Sequence, residues 1–451
     1  MSFLRGLLAG RSHLAFLLGL GAAIGTARLA GRLAHPGPAA PSPFSDIASS
    51  AGDLPLRAHA PLDPRDRAMA LAAWSYVERN TDPSTGLAGA VEGYPSTSMW
   101  DLGSQLMAVL AAEEIEIIPR ADAARRLRRV LESLAVLPLC ERTLPNKAYH
   151  TKTLAMVGYD NRPAPSGIGW SALDVARVLV PLGIIPWRHP ELTPLVRAAV
   201  SRWRLDALSD GGALVGAQRR PDGGLESYQE GRFGYEQYAA RALLPWGVPV
   251  ARALDYRAHV AFSNVEGQRV PHDDRDPRRY GGTHAAVLSE PWILDALEHG
   301  FDETTLAIAR AVLSVQERRA GATGRLTAVS EDALDRPPWF AYSAVLNGTD
   351  RWTAFAPDGT PVPEDLELST KAAVGWGVLF AGSYADRLLA AAQELVVPGV
   401  GLWAGRYDAS GAVNRAMSLN TNAVVLEALA YRARGAWLRR GDRDDGREAH
   451  K

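Results

Sequence analysis

The 451-residue chain has a single cysteine, and its charge is almost balanced. Because Cys140 has no second cysteine to pair with, the sequence excludes an intrachain disulfide and a metal site built from several thiolates. The 49 lysine and arginine residues oppose 50 aspartate and glutamate residues, which gives a formal net charge of −1. A chain without excess positive charge lacks the electrostatic footprint of nucleic-acid binding. We therefore expect no nucleic-acid partner.

Sequence motifs of nucleotide and cofactor chemistry are also missing. The sequence has no P-loop, no glycine-rich dinucleotide-binding turn and no Gly-x-Ser-x-Gly nucleophile motif. His272 and His284 are too far apart, and their flanks too charged, to indicate a metal site. The sequence therefore predicts neither a cofactor nor a metal.

The N-terminal region has the features of a targeting segment. Arg5 and Arg11 precede an apolar run over residues 14–27 that is rich in glycine and alanine. The run is shorter than the roughly 20 residues that span a bilayer, but it has the length of a signal-peptide core. It predicts that residues 1–34 are a signal peptide, or a signal anchor that tethers the protein to the inner membrane. Either would place the protein in the periplasm or outside the cell; the alternative is an amphipathic surface helix.

Composition also divides the rest of the chain. Residues 35–63 are rich in proline, alanine and serine, which is typical of a linker. Residues 441–451 are highly charged and are predicted to be a disordered tail. We expect one folded domain between them, over residues 64–440. The sequence does not predict an oligomeric state.

Two kinds of helix alternate within that domain. Helices of the first kind have one charged face and one apolar stripe: DRAMALAAWSYVERN, ADAARRLRRVLESL, PELTPLVRAAVSRW, ALDYRAHVAF, FDETTLAIARAVLSVQERR and DRLLAAAQELVV. Helices of the second kind are apolar nearly all round after a polar start: TSMWDLGSQLMAVLAA, GWSALDVARVLVPLG, FGYEQYAARALLPWG, LSEPWILDALEHG, STKAAVGWGVLFAG and LNTNAVVLEALAYRA. A helix without a polar face must be enclosed by other helices. The alternation predicts an all-α (α/α)6 toroid of six helical hairpins, with short β-hairpin loops at the rim.

In such a ring the inner helices run parallel, so their polar N-termini meet at one mouth. Hydrolysis of a glycosidic bond there would require one protonated and one ionised carboxyl group. We predict Glu236 as the general acid, because burial among other acids raises a carboxyl pKa, and Asp101 or Asp174 as its catalytic partner. Each acid also has a structural interpretation, because a helix N-terminus or a cation such as Arg177 or Lys371 stabilises a carboxylate.

Aromatic and amide side chains accompany these acids. Pyranose rings stack on flat aromatic faces, and sugar hydroxyls require hydrogen-bonding partners. The sequence therefore predicts an oligosaccharide or polysaccharide ligand. The predicted substrate-binding residues are Trp100, Trp170, Glu230, Tyr235, Glu290, Trp292, Lys371, Asn420 and Asn422.

Seven of these segments, in order, resemble the bacterial family catalogued as domain of unknown function 3131: TSMWD, LPNKAYHT, GWSALDVARVL, GRFGYEQYAA, SEPWILDALEHG, STKAAVGW and SLNTNAVVLEALAY. The resemblance covers the chain from about Arg67 to Arg432. It implies a fold similar to six-hairpin glycosidases, including glucoamylase-like and β-1,2-glucan-degrading groups of exported bacterial enzymes. His150, Trp292 and Val374 stand where the family motifs usually have Asn, Tyr and Phe, and these differences concern the substrate rather than the fold. The positions that the family motifs typically fill alike are Asp101, Asp174, Glu236, Glu290, Glu298, Lys371 and Asn422.

Three functions fit this sequence. The leading hypothesis is an exported or membrane-anchored glycoside hydrolase or transglycosylase that acts on an envelope or extracellular glucan. A second is a non-catalytic glycan-binding or scaffold protein of envelope polysaccharide assembly. A third is a polysaccharide lyase, in which Tyr149, His150 and Lys147 act on an anionic sugar.

Overall fold

The computed structural model describes residues 43, 44, 47, 54–277 and 284–438. The described residues from 54 onwards belong to one compact unit. The predicted signal segment and the charged tail over 441–451 lie outside the described residues. Among the helices that are described, none is long and apolar enough to cross a membrane.

Eleven α-helices lie within the described residues. They are α1 Pro64–Asn80, α2 Met99–Glu114, α3 Arg120–Val136, α4 Ala172–Arg188, α5 Thr193–Val200, α6 Tyr235–Leu243, α7 Glu290–Glu298, α8 Glu303–Thr323, α9 Thr370–Leu379, α10 Ser383–Gln393 and α11 Leu419–Arg434. Six of them correspond to the six apolar segments: α2, α4, α6, α7, α9 and α11.

The six apolar helices form a closed ring. Each contacts the next in chain order, and α11 packs against α2 to complete the circle. Every residue of α7 and of α9 is buried, as expected of helices without a polar face. The other five helices pack outside this ring; α1, for example, contacts α2 and α11.

Serine residues set where four of the inner helices begin. The hydroxyls of Ser98 and Ser171 accept the backbone N–H of Asp101 and Asp174, at 3.1 and 3.0 Å. Ser369 and Ser418 cap α9 and α11 in the same manner. A serine at this position satisfies an N–H group that has no partner inside the helix. The caps therefore fix the residues of each first turn at the mouth of the ring.

Twenty strands lie in the described part of the chain, so the predicted all-α class is not confirmed. Their bounds are β1 Ser96–Ser98, β2 Leu139–Cys140, β3 Leu144–Pro145, β4 Ala148–His150, β5 Met156–Val157, β6 Gly169–Trp170, β7 Ser209–Asp210, β8 Ala213–Arg219, β9 Leu225–Gln229, β10 Val260–Val265, β11 Gln268–Asp273, β12 Ala286–Val287, β13 Glu331–Ala333, β14 Phe340–Asn347, β15 Asp350–Phe355, β16 Glu367–Ser369, β17 Val396–Val397, β18 Gly401–Leu402, β19 Gly405–Tyr407 and β20 Val413–Asn414. All of them lie in segments that lead into an inner helix. The predicted hairpin around residues 408–411 is present, with β19 antiparallel to β20.

One predicted outer helix is wrong. Residues 253–262, ALDYRAHVAF, form turns that lead into β10, which pairs with β11 in an antiparallel hairpin. The Asp255 carboxylate accepts the backbone N–H of Arg257 at 3.0 Å. Such a local bond offers the backbone an alternative to the helix. The short apolar pattern of Val260 and Phe262 belongs to a strand instead.

A fully buried ion cluster lies inside the ring. Arg177 of α4 donates to Glu427 of α11 at 3.0 Å and also binds Glu298 of α7. All three side chains are 0% exposed. A buried charge is tolerated only when it is paired, so this cluster ties three inner helices together through their side chains.

Candidate active site

Asp101 is held tightly at the start of α2. Its carboxylate accepts the backbone N–H of Ser98 at 3.2 Å and the Ser98 hydroxyl at 2.6 Å. This reciprocal arrangement is a capping box. Burial raises the pKa of Asp101, while the Ser98 bonds and the charge of Lys371 oppose that rise. The residue stays half-buried at the mouth.

Asp174 occupies the corresponding position on the neighbouring helix α4, where the Ser171 hydroxyl also binds its carboxylate. Its N–H donates to Ser171, and the structure shows no reciprocal capping box for this helix. Burial, followed by the negative charge of Glu230, raises the pKa of Asp174 to about 7. The residue is half-buried and therefore accessible from the mouth.

Lys147 is the cation next to Asp174. Its ammonium donates to the Tyr228 hydroxyl at 3.1 Å, and its charge lowers the pKa of both Glu230 and Asp174. Glu230 itself accepts the backbone N–H of Ala172 at 2.5 Å, which anchors the start of α4. Lys147 is thus the nearby cation of two carboxyl groups. One of them, Glu230, also stabilises the first turn of α4.

A second lysine, Lys371, is the cation next to Glu290 and Asp332. Lys371 of α9 forms an ion pair with Glu290, and its Nζ lies 3.8 Å from Asp332 Oδ1. Asp332 also accepts the Thr421 hydroxyl at 3.1 Å. Burial raises the pKa of Asp332 to about 6, against the charge of Lys371.

Glu331 is a candidate acid that the sequence analysis missed. The Tyr235 hydroxyl donates to one carboxylate oxygen, and the Ser330 hydroxyl donates to the other at 3.0 Å. Burial raises the pKa of Glu331 to about 7, although Lys371 opposes the rise. The residue lies on β13, outside the starts of the inner helices. Two adjacent acids within the apolar segment TAVSEDAL were the signal that could have found it.

The charges of Asp174 and Glu331 both raise the pKa of Tyr342. Tyr342 pairs with Glu331 across the β13–β14 ladder. Its pKa is raised by burial and then by the charges of Glu331 and Asp174. The charge of Asp101 likewise raises the pKa of Asp174. Asp101 therefore acts on Asp174 directly, and Asp174 and Glu331 share Tyr342 as a neighbour.

An accessible aromatic and amide surface accompanies these acids. The ring of Trp100 lies edge-on to Tyr235, with 5.5 Å between ring centroids. The Trp100 indole N–H donates to Asn420 at 3.2 Å, and the Asn420 amide donates to Glu290 at 2.8 Å. Trp100, Tyr235 and Asn420 are half-buried. Such a surface suits a pyranose ring and its hydroxyls.

Glu236, the predicted general acid, forms an ion pair with Arg275. Its carboxylate accepts Arg275 at 2.5 Å and the Gln229 amide at 3.0 Å. Burial raises the pKa of Glu236, but Arg275 opposes the rise, and a paired carboxylate has a reason to stay ionised. Glu236 instead lines a cavity of about 610 Å³ together with Trp170 and Tyr228.

Two predicted substrate-binding residues have structural tasks instead. Trp292 is 3% exposed and stacks on Tyr256, with 6.5 Å between ring centroids. Asn422 is fully buried; it accepts the N–H of Leu402 at 2.9 Å and donates to the Ser418 carbonyl at 2.8 Å. Packing and backbone bonding leave neither side chain free for a ligand.

The three residues of the lyase hypothesis do not form a catalytic group. The Tyr149 hydroxyl is buried, donates to the Pro138 carbonyl at 2.8 Å and accepts the Asn146 N–H at 2.6 Å. His150 Nδ1 accepts backbone N–H groups of its own turn. Of the three, which all lie in the described part of the chain, only Lys147 interacts with the acids at the mouth, where its charge lowers the pKa of Asp174 and Glu230. Among the residues described, no group of three or more histidine, cysteine or acidic side chains is arranged to hold a metal.

Comparisons with known proteins agree with this architecture. The family model described as "Protein of unknown function (DUF3131)" matches residues 68–435. None of the curated proteins matches the chain.

Three solved structures illustrate the similarity. An endo-β-1,2-glucanase from Chitinophaga pinensis, in complex with sophorotriose and glucose, is 9% identical with a TM-score of 0.57, and 83% of this chain and 93% of that chain are covered. A mutant endo-β-1,2-glucanase from Talaromyces funiculosus in complex with β-1,2-glucan is 10% identical with a TM-score of 0.51, over 90% and 89% of the two chains. A glucoamylase from Hormoconis resinae is 13% identical with a TM-score of 0.51, over 89% and 76%. At these identities the similarity shows a shared glucoamylase-like toroid fold.

Proposed function

Since this chain belongs to the DUF3131 family, whose description assigns no activity, we propose a function from its own site: a glycoside hydrolase, or closely related transglycosylase, that cleaves a glucan by general acid–base catalysis. One observation carries the proposal. Two carboxyl groups, Asp174 and Glu331, have pKa values raised to about 7, the charges of both raise the pKa of Tyr342, and Glu331 contacts the half-buried Tyr235. A glycosidase requires such a pair, in which one group holds a proton and the other does not.

Asp174 is the general acid in this proposal. The charges of Glu230 and Asp101 both favour its protonated form. A carboxyl group that keeps its proton near neutral pH can pass it to the glycosidic oxygen as the bond breaks.

Glu331 is the ionised partner. Hydroxyl donors from Tyr235 and Ser330 bind its two oxygens, and such bonds favour a carboxylate. Glu331 takes a proton from a water whose oxygen attacks the anomeric carbon, or it attacks that carbon itself. A separation of about 6.5–9.5 Å between the two carboxyl groups corresponds to the first route, and about 5–5.5 Å to the second.

The charge at the mouth favours a neutral substrate. Carboxyl groups outnumber the two lysines, Lys147 and Lys371, so an anionic sugar would be repelled. The names of the structurally similar proteins point to glucans, and two of those proteins were solved with β-1,2-linked glucose chains or fragments. We therefore infer a neutral glucan, with β-1,2-glucan the first to test. The apolar run over residues 14–27 supports an exported or membrane-anchored protein as part of the proposal.

A non-catalytic glycan-binding protein is the second candidate. The observation that favours it is that two acids near the mouth are neutralised, Glu236 by Arg275 and Glu290 by Lys371. In that case the protein would bind a glycan without cleaving it.

Digestion of a panel of bacterial glucans by the purified full chain separates these candidates. We expect new reducing ends from at least one neutral glucan, and their loss in Asp174→Asn and in Glu331→Gln. Glu113→Gln, at the opposite end of the ring, is the control and should retain activity. A wild-type chain that binds a glycan of the panel but cleaves none of them would support the second candidate and contradict the first.

A further inference from the structure

Neither acid proposed to act on the glycosidic bond, Asp174 or Glu331, lines the cavity beside Glu236. The cavity has a volume of about 610 Å³, within the range of roughly 300–1,000 Å³ typical of ligand sites. Its walls come from the β8–β9 hairpin, from the turns near residue 252, and from the Glu236–Arg275 pair. Lining side chains that bear on the argument are Trp170, Ser227, Tyr228, Glu236, Arg252 and Arg275.

We propose that this cavity is a second sugar subsite, which binds neutral hexopyranose units of the same glucan chain next to the bond being cleaved. The proposal rests on the proposed function for the identity of the chain. It assigns Glu236 and Arg275 to binding and makes chain length a determinant of specificity.

Tyr228 makes the cavity continuous with the candidate active site. Its half-buried side chain lines the cavity, and its hydroxyl accepts the Lys147 ammonium at 3.1 Å. The charges of Glu230 and Asp174 raise the pKa of Tyr228, after burial. One aromatic side chain therefore faces both places, and a glucan held at Asp174 can continue past Tyr228 into the cavity.

The chemistry of the walls suits an uncharged polyol. Trp170 and Tyr228 supply aromatic surface for the faces of pyranose rings. Two lining cations, Arg252 and Arg275, are matched by two lining acids, Asp210 and Glu236. An anionic sugar would require a surplus of positive charge, which this balance does not provide.

The Glu236–Arg275 pair is built to hold a fixed geometry. Arg275 donates to Glu236 at 2.5 Å and to Asp273 at 2.5 and 2.8 Å. The side chain of Arg275 is 3% exposed and that of Glu236 is 6% exposed. Buried, mutually oriented donors and acceptors of this kind position hydroxyl groups without reorganisation, which is how a few polar groups orient a ligand in a pocket.

Adjacent residues of β9 offer a matched pair of variants. Ser227 lines the cavity, and Glu226, its neighbour on the same strand, does not. Both residues are exposed, so a tryptophan at either position leaves the core intact. Ser227→Trp places an indole in the cavity, and Glu226→Trp adds the same bulk at a position that does not line it.

Calorimetric binding of β-1,2-linked glucose oligomers, a disaccharide and a hexasaccharide, tests the subsite in the full chain. We expect Ser227→Trp to weaken hexasaccharide binding about tenfold or more while disaccharide binding stays unchanged, and Glu226→Trp to match the wild type for both. Equal loss for both lengths, no loss for the hexasaccharide, or no hexasaccharide binding by the wild type would overturn the subsite. Because binding is measured without turnover, this result is independent of whether the chain hydrolyses a glucan.

Discussion

Acidic residues at the two ends of the inner ring have pKa values that are shifted in opposite directions. At the mouth, Asp174 and Glu331 have pKa values raised to about 7, mainly by burial. Near the C-terminal end of α2, burial also acts on Glu113, but His189, Arg188 and Arg120 overcome it and hold its pKa below the usual range. The same carboxyl chemistry therefore gives a proton carrier at one end and a structural anion at the other.

Counterions account for the difference. Glu113 accepts His189 at 2.7 Å and lies near Arg120 and Arg188, while Glu114 pairs with Arg188 at 2.7 Å. At the mouth, the two lysines Lys147 and Lys371 are the cations that act on six acids: Asp101, Asp174, Glu230, Glu290, Glu331 and Asp332. Carboxyl groups that outnumber their cations retain protons to higher pH. The mouth is therefore the end at which acid–base chemistry is favoured.

Removal of the mouth acids should have the largest effect. Asp174→Asn should lower kcat/KM about 10²- to 10⁴-fold, the usual contribution of a general acid. The double variant with Glu331→Gln should be little worse than the worse single variant, because groups that act as one unit are non-additive. Steady-state kinetics on the cleaved glucan measures both. If the fold-losses in kcat/KM of the two single variants multiply in the double variant, or if no variant loses activity, the two acids do not act in one mechanism.

The buried ion cluster should dominate stability. Arg177→Met leaves Glu298 and Glu427 buried without a cation and should cost about 3–5 kcal/mol. Glu427→Gln keeps the ion pair of Arg177 with Glu298, so it should cost clearly less. Chemical denaturation of both variants gives the comparison. Equal losses would show that the charge balance of the triad is not what stabilises the ring.

Glu113→Gln should weaken the fold and leave catalysis unchanged. The loss of its bond to the buried His189 should cost about 1–3 kcal/mol at neutral pH. Because the folded pKa of Glu113 is lowered, its stabilisation is present above the unfolded pKa of about 4.3 and disappears as the pH falls through the folded pKa. The stability gap between the variant and the wild type should therefore narrow in acid. If the difference in the free energy of unfolding does not change with pH, or if the variant loses activity, Glu113 is not a purely structural anion.

The smallest expected effect is on the pH profile. Lys147 lowers the pKa of Asp174, so Lys147→Met should raise it. A general acid works while protonated, and the alkaline limb of kcat/KM, near pH 7 in the wild type, should move to higher pH. Lys152→Met, an exposed lysine of the same segment, is the matched control. A limb that moves to lower pH in Lys147→Met would contradict the assignment of Asp174.

Much of the fold could be predicted from the sequence, because its signals are local. The six inner helices follow from apolar runs without a polar face, and four of their starts follow from a serine cap. The outer helix predicted over residues 253–262 failed because a ten-residue pattern does not separate a helix from a turn and strand.

The site was less predictable because its decisive contacts are distant in the chain. Glu236 meets Arg275 from 39 positions away, and Tyr235 reaches Glu331 across 96 positions. No local pattern distinguishes a paired glutamate from one that keeps a proton. The starts of the inner helices located the mouth, but the charge balance there required the structure.

The most direct test is a titration of the individual carboxyl groups by isotope-edited NMR in the full chain, with Asp174→Asn, Glu331→Gln and Glu113→Gln used to assign the signals. We expect Asp174 and Glu331 to titrate near pH 7, and Glu113 to titrate below the ordinary glutamate value of about 4.3. If Asp174 titrates near the ordinary aspartate value of about 3.9, it cannot donate a proton at neutral pH, and the proposed mechanism, in which Asp174 is the general acid, is contradicted.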